Sequence, residues 1–585
     1  MKEATQGGQA FGRFTSAIGR NKKVFVEAML ATTVANLLAL AASLYSMQVY
    51  DRVIPNNSLS TLWVLTIGAI LAIGFEVLLK HARAEIVDRA CKSIDLELSD
   101  GFFGRAIGIR MDRRPPTIGT FAAQIRLFES VRAFLTSTTL FILTDVPFAI
   151  FFIAVIASLA GPVALVPLLL LPLSIGTGLV FARPIGRLAQ RTTTESMLKN
   201  GLLIESIDAI ETIKALGAEK SFTGRWHGLT ERIAEDELKI RSLSGLSTHL
   251  THAIQSLAYV GLVAAGVMVI TTGQLTMGGL IACSIISGRA LGPIAQISGL
   301  LVQWQHTRTA LKGLDAIINS PVDGEQAEGM RTVKPQTCRG ELRLESVRFA
   351  YDGKLAVLEI DALTIQPGER VAVLGSIGSG KSTLVKLLSG LYQPTSGRVF
   401  LDGVDMTQLE PAHLREHMHY LPQDARLFNG SLRDNLVIGG DDPGDDALLA
   451  AARATGLDRV VAQHPRGLSL GISEGGQGLS GGQRQITSLT RLLLRPRQVL
   501  LIDEPTASID GPLEEQVANA LFASLGESGV AVVVTHKTNI LKFMTRIIVM
   551  DRGKIVADGP RDAVLAKLSG RPQAAPQRAV VEVAA

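Results

Sequence analysis

The chain has only three cysteines in 585 residues, and Cys91, Cys283 and Cys338 lie far apart in it. Thiols this few exclude a disulfide framework, and none has the spacing of a metal-ligand pair. We expect them to be reduced, structural thiols. Charge is also scarce, because Asp, Glu, Lys and Arg make up 19% of the residues, against ~25% in ordinary soluble domains. The net charge of +5 comes with no basic patch, so nothing indicates a nucleic-acid partner.

Apolar residues are abundant instead. They make up 47% of the chain before glycine is counted, and the mean hydropathy is +0.28. These values exclude a disordered chain, a collagen-like chain and a fully soluble enzyme of even composition. The length predicts several domains, since a single hydrophobic core stops growing at roughly 250–300 residues. We therefore expect a chain with a lipid-facing part.

Long apolar runs occupy the first half of the chain. Six of them reach the ~20 residues that a helix needs to cross a bilayer: 26–48, 59–79, 135–157, 161–182, 249–271 and 275–297. The last is the weakest because it contains Arg289. The first is too long for the core of a signal peptide, so we expect it to remain as a signal anchor. These runs predict an all-α, six-helix transmembrane domain over 25–312, behind an N-terminal tail at 1–24.

The positive charges give the orientation. Lys and Arg are concentrated in the tail and in the two long connections, 80–134 and 183–248, whereas 51–58 has only Arg52. The positive-inside rule places the termini and the long connections in the cytoplasm. Apolar residues recur every three or four positions over 195–216, which is typical of a helix. We therefore expect the long connections to continue the membrane helices into the cytoplasm.

Three ionisable residues lie within the predicted spans: Glu76, Asp145 and Arg289. Each costs about 3 kcal/mol in a bilayer. They could form a polar path or an interhelical pair. Glu76 and Arg289 also lie near span ends, where a side chain can reach the interface. Asp145 is nearer mid-span and could equally serve a structural hydrogen bond. The sequence leaves these alternatives open.

A polar stretch at 313–339 is predicted to be a linker to a soluble α/β domain at 340–570. Residues 371–382 read VAVLGSIGSGKS, in which a predicted strand at 370–374 runs into a P-loop. Backbone N–H groups of such a loop wrap phosphates, and the next helix points its positive end at them. Lys381 should reach the β- and γ-phosphates, and Ser382 should bind Mg²⁺. The residues expected to contact the nucleotide here are Gly375, Ser376, Gly378, Ser379, Gly380, Lys381, Ser382 and Thr383.

Two further motifs follow. Residues 498–505 read QVLLIDEP, a buried strand ending in two acids. Asp503 would hold Mg²⁺ through water, and Glu504 would orient and polarise the attacking water. Residues 479–483 read LSGGQ and precede a predicted helix at 484–494. Ser480, Gly481, Gly482 and Gln483 would form a second phosphate-binding surface at its N-terminus, although the residues do not say which phosphate it binds.

LSGGQ between these two motifs resembles the signature of ABC transporter ATPases. The resemblance implies roles for three more residues: Tyr351 would stack on adenine, Gln423 would contact Mg²⁺ and the membrane domain, and His536 would contact the γ-phosphate. Residues 508–510 fall at the D-loop. In the family, two ATP molecules lie between two such domains, each between one P-loop and the partner's LSGGQ. The resemblance thus implies a homodimer with ATP and Mg²⁺ as cofactors. It implies that Glu504, His536 and Gln423 are the catalytic residues. Ser382, Gln423 and Asp503 would lie at the metal.

Six spans before an ATPase domain resemble half of a type I ABC exporter. The stretches at 44–65, 117–136 and 144–148 resemble the ATPase of bacterial type I secretion systems. That resemblance implies export of an unfolded polypeptide across the inner membrane, with a periplasmic adaptor and an outer-membrane channel as partners. Only about 25 residues precede the first span, so we expect no N-terminal peptidase-like domain. The alternatives are a lipid or drug exporter of the same fold, and a membrane-tethered ATPase that regulates without transport.

Two other segments have simpler interpretations. His413, His417 and His419 are close in sequence, and the first two would share a helix face. No fourth ligand follows, and the stretch resembles an ordinary exporter segment, so we expect no metal there. The tail at 571–585 is predicted to be disordered.

Overall fold

The computed structural model describes residues 9–115, 117–134, 137–295, 297–325, 332–351 and 355–568. The chain divides into two units: Met1–Ile109 with Arg114–Pro321, and Arg110–Arg113 with Val322–Ala585. The tail predicted to be disordered and the side chain of Asp145 lie outside the described residues, so both predictions stay untested.

The first unit is built from helices. They are α1 Gln9–Arg20, α2 Lys22–Gln48, α3 Ile54–Asn56, α4 Leu59–Gly108, α5 Ile118–Phe134, α6 Ser137–Ala160, α7 Leu165–Asp208, α8 Ile210–Ala215, α9 Glu219–Thr271, α10 Met277–Ala295 and α11 Ile297–Ile318. A π-helical segment, Val49–Val53, follows α2, and a 3₁₀ segment, Gly161–Ala164, separates α6 from α7.

Three helices are far longer than a bilayer requires. With 50, 44 and 53 residues, α4, α7 and α9 are each at least twice the ~30 Å hydrocarbon thickness at ~1.5 Å per residue. This confirms that the long connections continue the membrane helices. The helical pattern at 195–216 is also confirmed, with one break at Ala209 between α7 and α8. The predicted linker begins as helix, because α11 runs to Ile318.

Four stretches among the described residues are long and apolar enough, by length and composition, to cross a membrane: Lys22–Asn56, Leu59–Gly108, Pro147–Asp208 and Glu219–Thr271. The stretch Pro147–Asp208 contains the fourth predicted span and the second half of the third, 147–157, because the 3₁₀ segment joins α6 to α7 with little interruption. The α10 helix lies where the sixth span is predicted. The exposed apolar side chains of α4, such as Trp63, Val64 and Leu71, suit contact with lipid.

Two buried charged residues of the first unit, Glu76 and Arg83, have polar partners on neighbouring side chains. The buried Glu76 accepts a hydrogen bond from Lys80 at 2.5 Å, and the Arg289 guanidinium lies 3.7 Å from the same carboxylate. Arg83, also buried, donates to the Thr32 hydroxyl at 2.7 Å. Because α10 carries Arg289 and α4 carries Glu76, the structure selects the interhelical pair among the alternatives left open by the sequence.

Asp51 links two distant parts of the first unit. It lies in the π-helical segment and accepts hydrogen bonds from the Gly278 N–H at 2.8 Å and the Thr276 hydroxyl at 2.6 Å. A Cβ at Gly278 would lie 2.4 Å from the Met47 carbonyl oxygen, so only glycine allows this approach. The stretch at 44–65 therefore holds the start of α10 against the end of α2.

The second unit contains twelve strands and nine helices among the described residues. The strands are β1 Leu342–Phe349, β2 Leu358–Ile365, β3 Arg370–Gly375, β4 Ser396–Leu401, β5 Val404–Asp405, β6 Met418–Leu421, β7 Gly430–Ser431, β8 Gly471–Ile472, β9 Val499–Asp503, β10 Val530–Val534, β11 Arg546–Asp551 and β12 Lys554–Pro560. The helices are α12 Lys381–Leu388, α13 Pro411–His417, α14 Leu432–Val437, α15 Asp445–Thr455, α16 Asp458–Gln463, α17 Gly481–Leu494, α18 Gly511–Ser524, α19 Thr538–Leu541 and α20 Arg561–Leu568.

These strands form two main sheets. One is antiparallel, in the order β2-β1-β4-β5. The other has the order β12-β11-β3-β10-β9-β6, in which β11, β3, β10, β9 and β6 run parallel. Every residue of β9 (VLLID) and β10 (VAVVV) is buried, as expected of central parallel strands that are covered on both faces. The structure confirms the α/β fold predicted for this half.

Candidate nucleotide site

The predicted site residues gather at one edge of the parallel sheet. Glycine 375 ends β3, Gln423 follows β6, Glu504 follows β9 and His536 follows β10. Since β3, β10, β9 and β6 are neighbours, their carboxyl ends bring these residues together. Ligands of open α/β sheets bind at this edge.

The P-loop has the backbone that the pattern predicts. Gly375 has φ +152°, and a Cβ there would lie 2.2 Å from the Met550 carbonyl oxygen. Gly378 and Gly380 have φ values of +79° and +95°, a region that favours glycine. Gly380 is the N-cap of α12, so the helix begins directly behind the loop with Lys381. The positive end of α12 therefore faces the predicted phosphate position.

The ammonium of Lys381 donates to the carbonyl oxygens of Gly375 and Ser376, at 2.9 Å each. The side chain thus lies over its own loop, and phosphate oxygens would replace these two carbonyls. The Ser379 hydroxyl is buried and has no hydrogen-bond partner among the described residues. A buried polar atom without a partner carries a free-energy penalty, which a bound phosphate would relieve.

Asp503 and Ser382 are two of the three residues predicted to lie at the metal, and Gln423 is the third. The Ser382 hydroxyl lies beside the Asp503 carboxylate. Burial raises the pKa of Asp503, while the neighbouring Ser382 hydroxyl acts in the opposite direction. The buried Asp503 carboxylate and the half-buried Ser382 hydroxyl supply the oxygen ligands that Mg²⁺ prefers, so these residues fit the ion.

Glu504 lies between the other two predicted catalytic residues. Its carboxylate accepts a hydrogen bond from the Gln423 amide at 3.3 Å and is 3.5 Å from His536 Nε2. Its backbone has φ +49°, a left-handed conformation that costs a residue with a side chain about 1–2 kcal/mol. The fold holds this strain with a hydrogen bond from the Glu504 N–H to the Val534 carbonyl at 2.9 Å. Backbone strain of this kind is common at active sites.

The signature helix begins earlier than predicted. α17 starts at Gly481, not at 484, because Ser480 and Gln483 form a capping box. The Ser480 hydroxyl accepts from the Gln483 N–H at 3.2 Å, and the Gln483 side chain accepts from the Ser480 N–H at 2.9 Å. A Cβ at Gly482 would lie 2.7 Å from the Ser508 carbonyl, so this glycine lets the D-loop approach.

Tyr351 lies within an aromatic cluster. Its ring contacts Phe349 edge-on at a centroid distance of 4.9 Å, and its hydroxyl is 3.2 Å from the Thr383 hydroxyl. Because Thr383 belongs to α12, this contact places the ring beside the P-loop helix. The side chain is about half exposed, which leaves it free to stack on a base.

Among the described residues, no hydrogen bond joins 480–483 to 375–383. The His413 and His417 rings are 4.5 Å apart, and the described part of the chain contains no group of three or more His, Cys, Asp or Glu that could hold a metal. The signature surface is exposed at Ser480 and Gly481, so a ligand can reach it.

Sequence reasoning missed three residues around the D-loop. Gln485 bonds to the backbone of Glu504 and Ser508. Lys537 donates to the carbonyl oxygens of Thr506 and Ile509, at 2.5 and 3.1 Å. Glu514, which is 2% exposed, accepts from the Thr506 hydroxyl. Lys537 directly follows His536, but no spacing rule links Gln485 or Glu514 to the site.

Comparison with family models agrees with the two units. Residues 25–293 match the family described as "ABC transporter transmembrane region", and residues 358–507 match the one described as "ABC transporter". Together the two matches cover more than two thirds of the chain.

Individual proteins are similar over nearly the whole chain. The "Toxin RTX-I translocation ATP-binding protein" of Actinobacillus pleuropneumoniae is 28% identical over 567 residues, which are 96% of this chain and 79% of the relative. CyaB of Bordetella pertussis, a "Cyclolysin secretion/processing ATP-binding protein", is 29% identical over 95% of this chain and 78% of its own length. HlyB of Escherichia coli O157:H7, an "Alpha-hemolysin translocation ATP-binding protein", is 27% identical over 95% and 78%.

One solved structure has the same fold. "Structure of a bacterial Atm1-family ABC exporter with ATP bound" matches with a TM-score of 0.84 and covers 93% of this chain and 97% of the other. At 21% identity, this likeness supports the fold and not the substrate.

Proposed function

This chain belongs to the ABC transporter family as an exporter with a transmembrane and an ATPase domain, and from that membership we propose that it exports an unfolded polypeptide across the bacterial inner membrane. ATP binding and hydrolysis supply the energy. The observation that carries the proposal is the similarity over 95–96% of the chain to proteins named for toxin translocation and secretion. The matched region includes the transmembrane half of the chain, which is the half that would contact the exported substrate.

The proposal includes the assembly. The chain would work as a homodimer in the inner membrane, with its ATPase domain in the cytoplasm and with a periplasmic adaptor and an outer-membrane channel as partners. The open signature surface supports the dimer, because a second copy would supply the P-loop nucleotide that this surface binds. Each ATP would then lie between two chains, so that hydrolysis requires their association.

Within one site, the residues would act as follows. Lys381 leaves the two loop carbonyls and neutralises phosphate charge, while the P-loop N–H groups and the first turn of α12 hold the same oxygens. Ser382 and Asp503 would hold Mg²⁺, which neutralises charge on the phosphates. Tyr351 would hold the base by stacking.

Glu504 would act on the attacking water. Its carboxylate orients the water and accepts a hydrogen bond from it, with Gln423 and His536 fixing the carboxylate from either side. His536 would also contact the γ-phosphate. ATP binding would close the ATPase dimer, and the long cytoplasmic helices would transmit closure to the membrane cavity.

The experiment compares proteins in the culture medium of cells that carry the intact chain or Glu504→Gln. We expect one or a few large polypeptides to disappear from the medium and accumulate inside the cells. Glu515→Gln is the matched control, because it makes the same change on the next helix at an exposed position. An unchanged medium together with altered lipid composition or drug tolerance would favour the lipid or drug exporter. Loss of a cellular response, with no transport defect of any kind, would favour a regulator.

A further inference from the structure

Gln485 makes two hydrogen bonds to backbone atoms around the catalytic carboxylate. Its amide nitrogen donates to the Glu504 carbonyl oxygen at 2.9 Å, and its amide oxygen accepts from the Ser508 N–H at 2.9 Å. A carbonyl can only accept and a backbone N–H can only donate, so the two partners allow one orientation of the amide. One side chain therefore connects the turn after β9, which contains Glu504, to the D-loop.

The first of these bonds acts on a strained residue. Glu504 has φ +49°, and its N–H is already held by the Val534 carbonyl at 2.9 Å. The hydrogen bond from Gln485 holds the carbonyl group of the same residue. With its N–H and its carbonyl group both held, Glu504 places its carboxylate against Gln423 and His536. Without Gln485, the backbone can relax toward negative φ and move the carboxylate away from these two residues.

Gln485 also connects this turn to the signature motif. It lies one helical turn after Gly481, the first residue of α17. Gly482 packs so closely on Ser508 that a Cβ would lie 2.7 Å from its carbonyl oxygen. A displacement of the first turn of α17 is therefore transmitted to Ser508 by contact and to Glu504 by the Gln485 hydrogen bond.

We propose that Gln485 is a positioning residue for ATP hydrolysis: it holds the backbone of Glu504 and links it to the first turn of α17, so that a phosphate docked on the signature loop orders the catalytic carboxylate. The proposal does not depend on what is exported. It rests on the part of the proposed function that assigns the attacking water to Glu504.

The test is steady-state ATP hydrolysis by the purified full chain carrying Gln485→Met, which keeps the side-chain length and removes both hydrogen bonds. We expect kcat per ATP-binding site to fall at least about tenfold, because a misplacement of ~1 Å can cost ~100-fold. We expect KM for ATP to change by less than about threefold, since the variant removes an interaction needed after ATP has bound. Gln516→Met is the matched control, because that amide donates to the Arg453 carbonyl at 2.8 Å and makes no hydrogen bond to Glu504 or Ser508 among the described residues. It should retain wild-type kcat and KM.

A second variant separates the two hydrogen bonds. Gln485→Glu keeps an oxygen acceptor for the Ser508 N–H but faces the Glu504 carbonyl with a carboxylate. We expect its kcat to be as low as that of Gln485→Met.

Three results would overturn the proposal: wild-type kcat in either Gln485 variant, a rise in KM that accounts for the loss, or a loss of activity that matches a loss of ATP-binding sites. The last would indicate impaired folding alone. Hydrolysis at the wild-type rate by Glu504→Gln would instead contradict the catalytic role on which the proposal rests.

Discussion

Replacing Glu514 by alanine should destabilise the ATPase domain, although this residue touches no predicted nucleotide contact. The carboxylate is 2% exposed and accepts hydrogen bonds from the Thr506 hydroxyl at 2.7 Å and the Asn539 amide at 3.2 Å. The Lys537 ammonium lies 3.9 Å away and donates to the carbonyl oxygens of Thr506 and Ile509. Glu514 is thus the buried anion around which the D-loop and the segment after His536 are arranged.

The magnitude follows from these contacts. Each hydrogen bond to a charged group contributes ~1.5–3 kcal/mol. Part of that sum is offset, because alanine no longer requires the desolvation of a carboxylate, but Lys537 then loses its buried counter-charge. Removing one member of a buried pair costs ~3–5 kcal/mol. Taking about 3 kcal/mol, and ~2–4 °C per kcal/mol in a domain of this size, the midpoint should fall by roughly 6–12 °C.

The assay is the temperature at which the purified full chain loses half of its capacity to bind a fluorescent ATP analogue. Glu515→Ala is the control: the adjacent carboxylate is exposed and lies 4.0 Å from Lys542. An exposed pair of this kind contributes ~0–1 kcal/mol, so the control should change the midpoint by at most a few degrees. A Glu514→Ala midpoint equal to that of Glu515→Ala would refute the account of a buried anion that organises the D-loop.

Two further predictions concern the P-loop and acid stability. Gly375→Ala should abolish binding of fluorescent ATP, because its Cβ would lie 2.2 Å from the Met550 carbonyl, whereas Gly378→Ala, with nothing within 4 Å, should only weaken it; equal affinities would contradict this. Burial and the neighbouring Arg497 lower the pKa of His419 from 6.5 to about 4, so the unfolded chain takes up this proton at a higher pH than the folded domain. The neutral, buried His419 therefore contributes fully to the stability of the domain above pH 6.5, and this contribution is lost as the pH falls toward 4. The free energy of unfolding should fall by up to roughly 3 kcal/mol over this range. Unfolding midpoints at a series of pH values should show this decline and its reduction in His419→Gln; parallel curves would contradict it.

The features that a reader could predict from the sequence depend on neighbours along the chain. The P-loop needs left-handed residues at fixed intervals, and the glycines at 375, 378 and 380 supply them whatever else surrounds the loop. Apolar runs long enough for a bilayer predicted the helices of the membrane half, and the helical pattern at 195–216 predicted their extension. The early start of α17 was missed, although its cause, a Ser480–Gln483 capping box, is also local.

Pairings across the sheet and between helices required the tertiary structure. Residues 423, 504 and 536 meet because β6, β9 and β10 are adjacent parallel strands, and strand order has no local spacing rule. The same holds for the ion pair between Glu76 and Arg289. From the sequence alone, these side chains could equally have reached the membrane interface from the ends of their spans.

Gln485 shows the physical reason for this division. Its helix and its place after the signature motif follow from local hydrogen bonds, which act over three or four residues. Its partners are backbone atoms 19 and 23 residues away, and every residue type offers the same carbonyl and N–H. A side chain that bonds to a distant backbone group does not require any particular residue type at the partner position. The sequence therefore cannot indicate the contact, and only the packing of α17 against the end of β9 reveals it.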